Sequence, residues 1–206
     1  MRAILTFLLI LFFVLFSGVG TTSAQEISFK DTIDAYNSHR IHINKTGMKV
    51  LAGWGIANAV AGGIGYFATN NEEWKYFHEM NAMWGVINAG IAWAGLACVR
   101  KEMNSKYTYQ QAYNKYRSNK KLYLINIGLD VLYVGGGVAL NEVGNTAKKN
   151  QDMFHGFGKS VAIQGVFLLL FDNVMFASHH RTNSKWYQLM SELSYTGNGI
   201  GFIHNF

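Results

Sequence analysis

Four stretches of this chain, 47–68, 80–99, 122–140 and 160–178, are apolar over nearly their whole length. Each approaches the roughly 20 residues that an α-helix needs to cross the hydrocarbon core of a bilayer. Their interiors hold no Lys or Arg apart from Lys49, near the start of the first. Surface helices of a soluble bundle carry charge along one face, and these stretches do not. A membrane bundle therefore fits better than a secreted soluble one. Composition agrees: 50% of residues are hydrophobic and 15% charged, against about 25% charged in ordinary soluble domains.

The N-terminus reads MRAILTFLLILFFVLFSGVGTTSAQ. Arg2 forms a short positive region, residues 3–16 an apolar core, and Thr22-Ser23-Ala24 a small-residue cleavage signature. Residues 1–24 are expected to be a signal peptide and 25–206 a single membrane helical domain; an uncleaved signal anchor is the other reading. Cys98 is the single cysteine, so an internal disulfide framework is excluded and a packing role is expected for it.

Internal similarity suggests duplication. WGIANAVAGGIG at 54–65 sets against NIGLDVLYVGGGV at 126–138, placing Asn58 opposite Asp130. YFHEMNAMWGVINAG at 76–90 sets against MFHGFGKSVAIQGVF at 153–167, so a Phe-His pair opens the second helix of each unit. Two hairpins repeated in the same sense place His78 and His155 at one membrane face. The expected fold is thus all-α: an integral membrane four-helix bundle of two repeated hairpins.

Each span carries a stripe of small and polar residues at helical spacing. These are Gly55, Asn58, Gly62 and Gly65; Asn81, Asn88 and Gly95; Asn126, Asp130, Gly137 and Asn141; and Gly165, Asp172 and His179, with Gln164 alongside. Small residues admit close helix approach, and amides bond across the contact where no water is available. The stripes should face one another and leave Ile, Leu, Val, Phe and Trp to lipid. Asp130 and Asp172 stand out, because an ionisable group at membrane depth is expensive and points to function. They form either a proton or cation site between the repeats, with Asn58, Asn81, Asn88, Asn126 and Gln164 around it, or hydrogen-bonded packing glue with Asn126 or Asn173. The packing role is the commoner one in membrane bundles.

Histidines offer a second chemistry. His39 and His42 lie three apart before the first span, and His179 and His180 end the fourth, on the side opposite His78 and His155. Paired histidines bind zinc or haem iron, which makes His78, His155, His39, His42 and His179 the candidate metal ligands. No HExxH, CxxCH or cysteine-rich spacing accompanies them. Contact with headgroups or helix ends is the plainer role.

The formal net charge of +6 is concentrated in 100–121, where Arg100, Lys101, Lys106, Lys115, Arg117, Lys120 and Lys121 face only Glu102. Tyr109, Tyr113, Tyr116 and Tyr123 recur there with helical spacing, as in an interfacial aromatic belt. Basic residues interleaved with aromatics also occur in single-strand nucleic-acid grooves. Beside a signal sequence and four spans, lipid headgroups are the better match, and no nucleic-acid partner is expected.

HRIHINKTGMKVLAGWGIAN, YFHEMNAMWGVINAGIAWAG and GFGKSVAIQGVFLLLFD resemble a family of unknown function, small four-helix membrane proteins from Bacteroidetes-type bacteria. The distinctive pairs are His39-Arg40, Gly47-Met48, Phe77-His78, Met80-Asn81 and Gln164-Gly165, with Asn88 and Asp172. The resemblance implies membrane location and four helices, and it brings no activity with it. The sequence therefore points to a bacterial inner-membrane protein, non-enzymatic rather than an enzyme, binding a small ligand, ion or partner helix in its polar interior. The alternative is a metal- or haem-binding redox protein or enzyme using the histidines. No cofactor is named by either. Expected partners are the lipid bilayer and, through the bundle surface, a homo-oligomer or a partner membrane protein.

Orientation has two opposed determinants. A signal sequence exports Gln25 and, two spans later, the basic 100–121 segment; the positive-inside rule holds that same segment in the cytoplasm. The signal acts first during insertion, so a reporter active only outside the cytoplasm, fused near Asn114, should be active. Activity of a cytoplasm-only reporter there would show that the basic segment overrides the signal.

Overall fold

The computed structural model describes residues 29–191, 193–196 and 199–202; the expected signal peptide lies outside them. Four long helices follow one another: α1 (Phe29–Ala68), α2 (Glu72–Met103), α3 (Tyr109–Thr146) and α4 (Gln151–Ser191). The chain contains no proline, so no helix loses a backbone donor to a proline ring. Their ends are marked by local chemistry. Asn71 caps α2 by accepting the Trp74 N–H at 3.0 Å, with Glu72 and Glu73 in the first turn and Arg100 and Lys101 in the last, the charge order that complements the helix dipole. A capping box between Thr108 and Gln111 starts α3. Asn150, at φ 61°, turns the chain into α4 in the left-handed region that asparagine tolerates better than most residues.

All four helices are long and apolar enough to cross a membrane. α1 lies along α2 and α3 along α4, and the two hairpins meet chiefly through α2 and α4. α4 is the central helix. The outer faces are apolar: Trp93, Leu132, Ile64 and Val86 are 65–77% exposed. Contiguous exposed apolar surface of this kind marks contact with something other than water.

Within each hairpin the backbones touch. A Cβ added to Gly55 would lie 2.8 Å from the Gly85 carbonyl, and one added to Gly137 would lie 2.8 Å from that of Gly158. Only glycine at these crossings permits such an approach. Between hairpins, Gly156 does the same against Tyr76 and Phe77 of α2.

Several details depart from the sequence reading. The 100–121 segment comprises two helix ends around a short connection, and its Tyr116 and Tyr123 turn into the bundle rather than towards headgroups. Tyr116 packs with Ile33, Tyr36 and Ala112 where α1 and α3 begin, because its position continues the inner stripe of α3 rather than a headgroup-facing one. Cys98 is exposed on the outer face of α2, one position from the buried Val99, and does not pack inside. Beyond α4 the chain adds an antiparallel ribbon, β1 (Leu193–Thr196) and β2 (Gly199–Phe202), with Leu193 opposite Phe202.

The glycine crossings give a paired prediction. Gly137→Leu should lower stability in detergent by about 1–3 kcal/mol or more through overpacking. Gly135→Leu, on the open outer face of the same helix, should change it little. Equal thermal shifts for the two variants would contradict the α3–α4 crossing.

Candidate functional site

The polar stripes meet along α4 in layers, best followed from the connections 69–71 and 147–150 towards the opposite, basic end. At the connection end the two Phe-His pairs take equivalent places. The ring of His78 lies against Gly65, and that of His155 against Gly144, with its Nδ1 3.1 Å from Asn141 Oδ1. Lys159 of α4 is ion-paired with Glu73 of α2 nearby.

Next comes an amide cluster centred on Gln164, whose side chain is fully buried. Its Oε1 accepts the Trp54 indole N–H at 2.8 Å and, at 3.5 Å, an Asn88 amide hydrogen. Its Nε2 donates to Asn58 Oδ1 and to Asn81 Oδ1, each at 2.9 Å. Ser160 Oγ also donates to Asn81 Oδ1 at 2.9 Å, and Asn58 Nδ2 to the Trp54 carbonyl at 2.8 Å. Donors and acceptors are matched throughout, as they must be where water cannot substitute.

An apolar layer follows. Leu51, Ala92 and Phe167 are buried together, and the Trp54 and Phe167 rings stack at 3.9 Å, only 7° from parallel. On the α3 side of α4, Gly165 sits against Tyr133 and Val134 and closes the same level.

Beyond that layer the two carboxyls meet. Asp130 of α3 and Asp172 of α4 are 3% and 4% exposed and are close enough to interact electrostatically, with Asn126 beside Asp172. Asp130 Oδ2 and Asp172 Oδ1 are buried without a hydrogen-bond partner. Towards the basic end the interior mixes polar groups with apolar ones, Met175 against Gly47 and, further on, the Ile33, Tyr36, Ala112 and Tyr116 cluster. Asn44 Oδ1 receives both His179 Nε2 at 2.9 Å and the Tyr123 hydroxyl at 3.4 Å, and the Tyr123 and His179 rings stack at 5.5 Å. Arg40, 1% exposed, donates to Glu102 at 2.9 Å, and Lys115 reaches the same carboxylate at 2.8 Å.

The residues singled out from sequence thus fall into two groups. Gln164, Asn58, Asn81 and Asn88 form one cluster; Asp130, Asp172 and Asn126 form another, on the other side of the apolar layer. Asn173 takes no part: it is exposed and bonds the Leu169 carbonyl of its own helix. The histidines are dispersed, His39 and His42 on the exposed face of α1 and His180 beside Lys120. Among the described residues no three His, Cys, Asp or Glu side chains come together as a metal site. Sequence reasoning did not place Arg40, Asn44, Tyr123 or Ser160 in the polar interior, although it named Arg40 and Tyr123 in other roles. Each continues a stripe already identified, with Arg40 and Asn44 preceding Leu51 on α1 and Tyr123 seven residues before Asp130.

The chain belongs to a family of unknown function, DUF6992, whose model matches residues 50–173. The matched region contains the amide cluster and both carboxyls and begins just after the Gly47-Met48 pair. No curated protein and no solved structure matches the chain.

Gln164 is the test of the amide cluster. Gln164→Leu strands the Trp54, Asn58 and Asn81 groups and should cost about 2–3 kcal/mol of stability. Asn173→Leu, on the outer face, should be near neutral in the same thermal assay. Equal effects would remove the cluster's claim to hold the hairpins together.

Proposed function

We propose that the protein is a non-enzymatic integral membrane component that holds a proton between Asp130 and Asp172. The observation that carries this reading is the meeting of two deeply buried carboxyls, each with an oxygen left unpaired. Two carboxylates cannot share such a site unless a proton lies between them, and they then titrate as one unit. Packing glue would match every donor to an acceptor, as the amide cluster does.

Membrane location is supported by four helices of sufficient length with outward-facing Trp93, Leu132, Ile64 and Val86. Duplication is supported by the matching positions of His78 on Gly65 and His155 on Gly144. That contact moves the repeat register of the first helices by seven residues: Gly65 corresponds to Gly144, and Asn58 to Gly137 rather than to Asp130.

Two measurements test the proposal. The protein should stay with membranes through an alkaline carbonate wash; release into the soluble fraction would refute the bilayer setting. In lipid discs, infrared spectra should contain the C=O band of a protonated acid, shifted in D2O and lost in Asp130→Asn or Asp172→Asn. Spectra without an acid band, or with one unchanged in both variants, would rule out the shared proton.

A further inference from the structure

Unsatisfied buried polar atoms are distributed unevenly along the bundle. The amide cluster contains none among the described residues. Asn37 Nδ2, Arg40 Nη2, Asn119 Nδ2 and His179 Nδ1 are all buried without partners, and all lie between the carboxyl pair and the basic end. His179 is fully buried. A buried donor or acceptor without a partner is expensive, and native proteins meet that demand with ordered water where the surroundings are polar. Four such atoms lie on the basic side of the carboxyl pair, interspersed with the buried Met175 and Tyr123, and give water partners there that the amide cluster does not offer.

The route has one closed end. Towards the connections, Leu51, Ala92 and Phe167 on one side of α4, and Gly165 against Val134 on the other, leave only apolar or directly touching groups. Towards the basic end, the inner stripes present Asn126, Tyr123 and Asn119 of α3, Asn44 of α1 and His179 of α4. The charged groups beyond them are Arg40 and His39 on α1, Glu102 on α2 and Lys115 on α3. Arg40 and Lys115 share the one Glu102 carboxylate, so the group at the mouth is held in place by ion pairs and keeps a net positive charge.

We infer that the carboxyl pair exchanges its proton with water from the basic end alone, through a hydrated passage lined by Asn126, Tyr123, Asn119, Asn44 and His179. In each exchange a proton leaves hydronium at the mouth and ends on a carboxyl oxygen, or the reverse; no other bond changes. This rests on the proton-holding reading of Asp130 and Asp172 and adds the side from which they are reached.

Cysteine accessibility tests it. In a Cys98→Ala background in lipid discs, Asn119→Cys, Asn126→Cys and Ser160→Cys are treated with a small, permanently charged methanethiosulfonate. A thiol kept from water stays un-ionised and reacts slowly, so N119C and N126C should be modified about tenfold or more faster than S160C. Radiolytic hydroxyl-radical footprinting of the unsubstituted chain is the second measurement, independent of whether the variants fold. Tyr123 and His179 should be oxidised, and Trp54 and Phe167 protected. Labelling of S160C as fast as N126C, or protection of Tyr123 and His179, would overturn the passage while leaving the infrared acid band, and the proton site, in place. Loss of the acid band with the labelling pattern intact would overturn the inference through its premise.

Discussion

The arrangement of the bundle depends on one amide. Gln164 projects from the central helix and bonds to Trp54 and Asn58 on α1 and to Asn81 on α2, which ties the second hairpin to both helices of the first. Hydrophobic burial cannot do this in an apolar medium, because lipid tails solvate Leu and Phe as well as another helix does. What remains is close backbone contact, supplied by Gly55, Gly85, Gly137 and Gly158, and directional bonds between buried polar groups. The glycine crossings pair the helices within hairpins; Gln164 sets the rotation and depth of one hairpin against the other.

The two polar regions obey different rules. Around Gln164 each donor has an acceptor, and such a network specifies a single packing. Around Asp130 and Asp172 the groups outnumber their partners, and stability is sacrificed locally. Protein interiors accept that at places where a group must be reached by something mobile. The apolar layer of Leu51, Ala92 and Phe167 keeps the two regions apart.

Much of this was legible in the sequence because helical periodicity is strict. Asn126 and Asp130, or Gly165 and Asp172, share a face whatever surrounds them, and the lack of charge over four runs of bilayer length leaves few folds. Relative depth was less accessible. Whether Asp130 meets Asp172 or Asn58 depends on how far two helices slide along each other, and a repeat aligned on apolar residues fixes that slide only to within two turns. The contact of each histidine ring with its glycine sets it. The inward turn of Tyr116 and Tyr123 was hidden for another reason: interfacial and interior tyrosines have the same spacing, and only the partner helix, with Tyr36 and Asn44, distinguishes them. The closing β-ribbon has no periodic signal of its own, being only four residues per strand.

The length of the helices has a mechanical consequence. α1, α3 and α4 contain 40, 38 and 41 residues, so each is about 60 Å long at 1.5 Å per residue, roughly twice the thickness of a hydrocarbon core. Proline, one source of kinks, is absent, and a hydrocarbon core would cover about half of each helix. Near the basic end the helices touch through Tyr36 and Tyr116, whose ring centroids are 6.4 Å apart. A tilt of about 5° around the middle of a roughly 30 Å half would swing the far end, about 45 Å away, by about 4 Å.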